Sequence, residues 1–283
     1  MRVAVTGGSG FIGSHVVDAL LEAGHEAVIF DILPPRWHEG VPFFHCDISN
    51  REEVATKING KRFDVLIHLA GFSNAYAAEI HPAETCRLNI EGTVNVLDTI
   101  RSSNCAFYLA STYYLSMGLS NFYSLSKVAA ELFTKAYREK YGLPVTIFRL
   151  GTAYGPRSRG TDVISLFVEQ ALSGKPLVIS NRDSSRKFIY VTDIAQAFLN
   201  ALKANVDERT LVICADEPVS VEWLAKLVLK VTGSSSSLRY AQNSQLTLCY
   251  SPDNSEAQRI LSWRPVVSLE EGIRLYVELI RDK

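Results

Sequence analysis

The sequence predicts an α/β fold, a doubly wound parallel sheet followed by a smaller C-terminal part. Three observations support that expectation. Short apolar runs alternate with helix-period segments through about the first 150 residues. The runs are continuous rather than alternating, as befits central strands buried on both faces. The first two runs enclose a glycine-rich turn, so the chain opens as strand, turn, helix, strand, acid. Strands separated by helices imply right-handed crossovers and hence a parallel sheet.

The opening stretch is the most informative. Val3-Ala4-Val5 leads into Thr6-Gly7-Gly8-Ser9-Gly10, then a helical segment from Phe11, then Ala27-Val28-Ile29-Phe30 ending on Asp31. Gly7 permits the tight turn, Gly10 lets a pyrophosphate approach the backbone, and Gly13 lets helix and strand pack closely. The helix N-terminus offers unpaired N–H groups and a positive dipole end to phosphates. Asp31 lies about 20 residues beyond the turn, where a carboxylate accepts both ribose hydroxyls and repels a 2′-phosphate. The stretch points to NAD rather than NADP.

The remaining elements follow in order. Residues 41–46 read as a strand, 50–59 as a helix, 64–71 as a strand running into a glycine, and 82–102 as a helix. Residues 106–110 form a strand that stops at Ser111-Thr112. A helix is expected over about 123–141, closed by Gly142 and Pro144, and a strand over 145–150. Past Gly155-Pro156 the pattern loosens into a helix near 163–173, a strand at 176–179 and a polar loop at 180–185. An apolar-periodic segment at 186–203, a strand at 210–214 and helices at 221–231 and about 269–281 complete the chain. Residues 1–153, with 186–213 returning to the sheet, are expected to form the dinucleotide-binding domain. Residues 154–185 and 214–283 are expected to form the substrate-binding domain, and a ligand belongs in the cleft at the carboxyl ends of the strands.

Composition narrows the possible partners. The 283 residues carry a formal charge of −1, from 29 basic and 30 acidic side chains, with 47% apolar residues. No basic field is available for nucleic acid or an anionic membrane, and no apolar run approaches a membrane span. The first strand begins at the first residues, so no signal peptide is expected and the chain reads as cytoplasmic. The five cysteines are odd in number and no pair has metal-ligand spacing. They read as buried thiols in a reducing cytosol, with no metal.

The chemistry centres on Tyr123 and Lys127. On a helix these positions share a face. A free tyrosine titrates near pH 10, too high for a base at neutral pH, and a nearby ammonium favours the phenolate. Thr112 closes a predicted strand beside this helix, where a hydroxyl can bond a substrate oxygen and help hold the tyrosine.

These features, with Asp47-Ile48, His68-Leu69-Ala70-Gly71, Asn89-Ile90-Glu91-Gly92-Thr93, Arg149, Tyr154-Gly155-Pro156, Arg186-Lys187-Phe188-Ile189-Tyr190-Val191 and Leu269-Glu270-Glu271-Gly272, give a resemblance over nearly the whole chain. The sequence resembles an extended short-chain dehydrogenase/reductase of the NAD-dependent epimerase/dehydratase family, whose nucleotide-binding part is a Rossmann fold. The resemblance implies that Gly7, Gly10, Phe11, Ile12 and Gly13 hold the pyrophosphate of NAD. It places Asp31 at the adenosine ribose, Asp47 and Ile48 at the adenine, and Leu69, Ala70 and Gly71 along the path to the nicotinamide. It makes Tyr123 the general base, has Lys127 bind the nicotinamide ribose and tune Tyr123, and has Thr112 complete the triad. Ser73, Thr112, Thr152 and Arg186 would meet substrate, Arg186 at a nucleotide-sugar diphosphate. Asn89 would brace the sheet, and His68 and His81 would be structural. A homodimer through helices near 82–102 and 123–141 would follow the family habit.

The chain departs from the family in four places. Tyr113-Tyr114 follow Thr112 where family dehydratases place an Asp-Glu pair and decarboxylases tend to carry a glutamate. Residue 152 is threonine where many sugar-nucleotide epimerases carry asparagine. The stretch 238–248 lacks the arginine-containing segment that often grips the second phosphate, and the loop from Thr112 to Tyr123 is about half the usual length. One base and one cofactor suit 4-epimerisation of a nucleotide-activated sugar through a transient 4-keto species. The alternatives are net reduction or oxidation of a keto sugar or other small alcohol, and a non-catalytic NAD-binding protein.

Overall fold

A computed structural model describes residues 1–114, 121–182, 184–241 and 251–281. Val3, Val28, Ile29, Leu66 and Ile67 expose none of their surface. Side chains buried on both faces of a strand need helices above and below, and the chain supplies them in alternation. The first half runs β1 (Arg2–Thr6), α1 (Phe11–Glu22), β2 (Glu26–Asp31), β3 (Phe43–His45), α2 (Arg51–Ile58), β4 (Val65–His68), α3 (Ala75–Ile80) and α4 (Pro82–Cys86). A π-helical turn (Arg87–Glu91) then leads into α5 (Gly92–Ile100), β5 (Ala106–Thr112), α6 (Phe122–Tyr141) and β6 (Val145–Leu150). The second half runs β7 (Thr152–Tyr154), α7 (Val163–Leu172), β8 (Leu177–Ile179), β9 (Ser185–Arg186), β10 (Phe188–Tyr190), α8 (Val191–Ala204) and β11 (Arg209–Ile213). It closes with β12 (Val219–Ser220), α9 (Val221–Thr232), β13 (Leu238–Tyr240), α10 (Ser255–Leu261) and α11 (Leu269–Arg281).

Seven strands form one parallel sheet in the order β3-β2-β1-β4-β5-β6-β11. The order reverses between β1 and β4, and a doubly wound sheet opens its ligand crevice at the carboxyl ends of such strands. On one face α1 and α8 bury Val16, Val17, Leu20, Ile194 and Phe198. On the other, α2, α5 and α6 bury Val54, Ile58, Val96, Leu97 and Ala130. A further core of Phe167, Val168, Leu177, Leu224, Val228 and Ile273 joins α7, α9 and α11.

Several elements differ from the sequence reading for local reasons. The strand expected over 41–46 pairs only through Phe43–His45. The helix expected over 82–102 widens into the π-helical turn at Arg87–Glu91, and so re-aims Asn89. Six-residue α3 has too short a period to read, and its start is set by the Asn74 side chain, which accepts from the Ala77 N–H. His81 caps the junction of α3 and α4. The segment 186–203 turns helical only at Val191, since 186–190 pair as β9 and β10 with β12 and β7. Cys46, Cys105 and Cys214 are buried thiols, but Cys86 is exposed on α4; Cys249 lies outside the described residues. Among the described residues no helix is long and apolar enough to cross a membrane, and no acidic, histidine or cysteine cluster is arranged to hold a metal ion.

Candidate active site

The turn between β1 and α1 is formed by backbone that only glycine fits. Gly7 has φ 73°, and a Cβ there would stand 2.6 Å from the Ala70 nitrogen. A Cβ on Gly13 would overlap the Gly7 carbonyl oxygen. The turn therefore packs against both its own helix and the chain leaving β4. Gly10 caps α1 with no side-chain hydrogen bond, and the first turn holds no acidic residue. The N–H groups of Phe11, Ile12 and Gly13 are thus left for a ligand, and an anion is the complement of a helix N-terminus. Beside them the Asp31 carboxylate accepts from the Ser9 N–H at 3.0 Å and the Leu33 N–H at 3.1 Å. Each carboxylate oxygen keeps capacity for a ribose hydroxyl. Asp47 accepts from Ser49, and the buried Ile48 has its carbonyl held by Asn95 at 3.0 Å. The donor set and the acid fit NAD, with Leu69 and Ala70 following β4 across the crevice.

The reactive side chains meet at the end of β5. Thr112 is its last residue and is 4% exposed. Tyr123 lies in the first turn of α6, which starts where the Asn121 side chain accepts from the Ser124 N–H at 2.7 Å. The Tyr123 phenol faces Thr112, whose hydroxyl pulls its pKa down, but burial outweighs that pull and raises it to about 12. One turn on, Lys127 donates to the Ala110 carbonyl at 3.1 Å, and burial lowers its pKa to about 8. Burial, not Lys127, therefore sets the Tyr123 titration in the protein alone. The charge of Lys127 weighs instead on His68, which burial first and that charge second push down to about 3. Neutral His68 bridges Thr6 at 2.7 Å and Thr93 at 3.2 Å, tying β1 and β4 to α5.

Asn89 occupies the π-helical turn and braces the loop after β4. Its Oδ1 accepts from the Phe72 N–H at 2.7 Å, and its Nδ2 donates to the Phe72 carbonyl at 3.0 Å and to Ser126 at 2.8 Å. A Cβ on Gly71 would crowd that Oδ1 at 2.6 Å. Ser73 is exposed in the same loop.

Across the crevice Thr152, expected at the substrate, joins a hydroxyl cluster with Tyr113 and Tyr114, which the sequence showed only as a departure from the family. The Tyr114 hydroxyl meets Thr152 Oγ1 at 2.8 Å and the Tyr113 hydroxyl meets the same atom at 3.2 Å. The two rings stack with centroids 4.6 Å apart. Burial and the neighbouring Tyr114 push the Tyr113 phenol far up, while the Arg186 charge pulls the other way. Arg186 thus faces this cluster, and its Nε is buried with no hydrogen-bond partner among the described residues. The expected short loop after Thr112 falls largely on residues 115–120, and most of the stretch 238–248 on residues 242–248; both lie outside the described residues. Within it, Arg239 lies on β13, paired with Val178 of β8.

A doubly wound sheet, a glycine turn with an uncapped helix and an acid at the end of β2 define an NAD-binding α/β enzyme. Residues 3–214 match the NAD dependent epimerase/dehydratase family, and the chain belongs to it. It is similar to a "Putative UDP-glucose 4-epimerase" of Methanocaldococcus jannaschii, 29% identical over 99% of this chain and 98% of that one. Among solved structures, the UDP-glucose 4-epimerase of Thermotoga maritima with UDP-glucose superposes with a TM-score of 0.93 at 27% identity, covering 100% and 99% of the two chains. The Thermus thermophilus UDP-glucose 4-epimerase complex with NAD gives 0.89 at 28%, covering 99% of each.

Proposed function

We propose that this chain epimerises a nucleotide-activated sugar at C4 through a transient 4-keto sugar. The observation behind the reading is the meeting of Thr112, Tyr123 and Lys127 at the carboxyl end of β5, beside the chain after β4, with tyrosines rather than carboxylates after Thr112. NAD, when bound, supplies reversible uptake of one hydride. Tyr123 takes the hydroxyl proton from the sugar and returns it after the keto sugar has turned. Thr112 holds the sugar oxygen and the phenol in one hydrogen-bonded line. Lys127 grips the nicotinamide ribose and carries the positive charge that the phenolate needs. Arg186, with a free buried Nε, receives the diphosphate, and Thr152 and Ser73 complete the sugar pocket. Elimination across the ring needs a second acid or base, which Tyr113 and Tyr114 supply poorly at neutral pH.

The reading divides the chain into an NAD-binding part, 1–153 with 186–213, and a substrate part, 154–185 with 214–283, working in the cytoplasm. A second copy completes the assembly. Leu125, Leu132 and Phe133 of α6 and Tyr76 and Ile80 of α3 are large apolar side chains left exposed. Tyr137 of the same helix packs inward and donates to Asp98 at 2.7 Å, and residues 82–100 contribute no large exposed apolar side chain. A monomeric mass by light scattering at micromolar concentration overturns the dimer.

The function is tested by incubating the protein with UDP-sugars and following products by NMR. Inversion at C4 with no accumulation of reduced cofactor is the expected result. Cofactor consumed in proportion to product shows a net reductase or dehydrogenase instead.

A further inference from the structure

Lys127 can serve only while charged, yet it is placed where burial strips charge. One turn along α6, on the same face, stands Glu131, which is 3% exposed. Arg149 reaches it from β6 as a two-pronged fork, Nε to Oε1 at 3.0 Å and one terminal nitrogen to Oε2 at 2.7 Å. Burying a carboxylate is costly unless it is paired and hydrogen-bonded, and this fork supplies both. Lys127, Glu131 and Arg149 thus alternate in charge along one face of α6 and across to β6.

We propose that Glu131 is a positioning residue that keeps Lys127 charged while Tyr123 gives up its proton, with Arg149 sharing the Glu131 charge and so setting how much of it reaches Lys127. The inference rests on the assignment of Tyr123 and Lys127 made above. Glu131 is the group that opposes the downward pull of burial on Lys127. Among the described residues, the other elements packed around Lys127 offer no competing anion. From β4 comes His68, neutral at any physiological pH. From β5 comes the Ala110 carbonyl, and from the chain after β4 comes Gly71. Tyr123, on α6 itself, is a neutral phenol at rest.

The test is the titration of Lys127, read directly by NMR on protein carrying ¹³C-labelled lysine. The Lys127 signal is the one lost in Lys127→Met. Glu131→Gln should lower the titration midpoint by about one pH unit. Arg149→Met, which leaves the Glu131 charge to Lys127 alone, should raise it. Opposite signs from two substitutions in one ion pair are not what a purely structural contact produces. The alkaline limb of turnover should move with the NMR midpoint. If Glu131→Gln fails to fold, the double variant Glu131→Gln, Arg149→Met removes both charges of the pair and should still show a lowered midpoint. Midpoints that stay in place, or that move in the same direction in both single variants, overturn the proposal. Normal turnover in Lys127→Met strikes instead at the catalytic assignment, and is told apart because the titration can still move.

Discussion

The wall of the crevice made by β1, α1 and the chain after β4 is shaped by backbone, whereas the wall opposite is shaped by side chains. At Gly7 and Gly13 any Cβ collides with neighbouring main chain, and the groups left open are N–H donors of a helix that has no cap of its own. At Thr152 the shape comes from two phenols sharing one hydroxyl, with an arginine Nε beside them. On the function proposed above, backbone donors recognise what every NAD molecule has in common, its pyrophosphate. Side-chain hydroxyls can be exchanged one at a time, and on the same proposal they decide which sugar enters. The reactive triad sits where the two walls meet.

The sharpest way to separate the two walls is to disable the groups between them. Tyr123→Phe keeps the ring and its packing and removes the ionisable oxygen. Turnover should fall by about two to four orders of magnitude, the usual worth of a positioned base, while circular dichroism and NAD affinity stay unchanged. A folded variant with near-normal turnover breaks the assignment. Next in size is the backbone wall's choice of cofactor. Asp31 should make NAD bind at least about tenfold tighter than NADP, a gap of roughly 1.4 kcal/mol. Asp31→Ala should narrow that gap in calorimetry, and equal affinities in the unaltered protein would count against the reading. The smallest effect belongs to the side-chain wall. Thr152→Val deletes the hydroxyl that both tyrosines share. Loss of ordinary hydrogen bonds of this kind changes substrate affinity by about threefold to tenfold. It should appear in KM for the sugar, with NAD binding untouched; an effect on NAD instead would merge the two walls into one.

The backbone wall was the more legible in the sequence, because glycines at fixed intervals between two apolar runs report a conformation directly. Tyr123 and Lys127 were legible for a similar reason, since four residues on a helix is a contact. The side-chain wall needed contacts across the fold. Thr152 and Tyr114 are 38 residues apart in sequence and Arg149 and Glu131 are 18 apart, and nothing local to either pair announces the meeting. The π-helical turn left no mark either, because its apolar spacing over 82–102 suits an ordinary helix equally well. Of the two helices expected to meet a second copy, the one near 123–141 leaves large apolar side chains exposed and residues 82–100 leave none. Tyr137 turned inward, and α3, too short to read, carries Tyr76 and Ile80 outward. Lys127 was read as a tuner of Tyr123 from charge alone; the depth of the site, which sequence does not state, makes burial the larger influence.

The clamp that Asn89 places on Phe72 has a consequence in time as well as in shape. The Phe72 amide belongs to a loop, and loop amides usually exchange with solvent as quickly as the loop opens. Here that amide donates to a side chain carried by a helix, and the same side chain is tied to Ser126 beneath the reactive turn of α6. Its exchange should follow the opening of the helices, not the loop's own motion. In Asn89→Ala the Phe72 amide should exchange at the rate of its exposed neighbours, while amides within β4 keep their protection. The strip of chain that borders the nicotinamide path would then be seen to borrow its stillness from elements packed behind it.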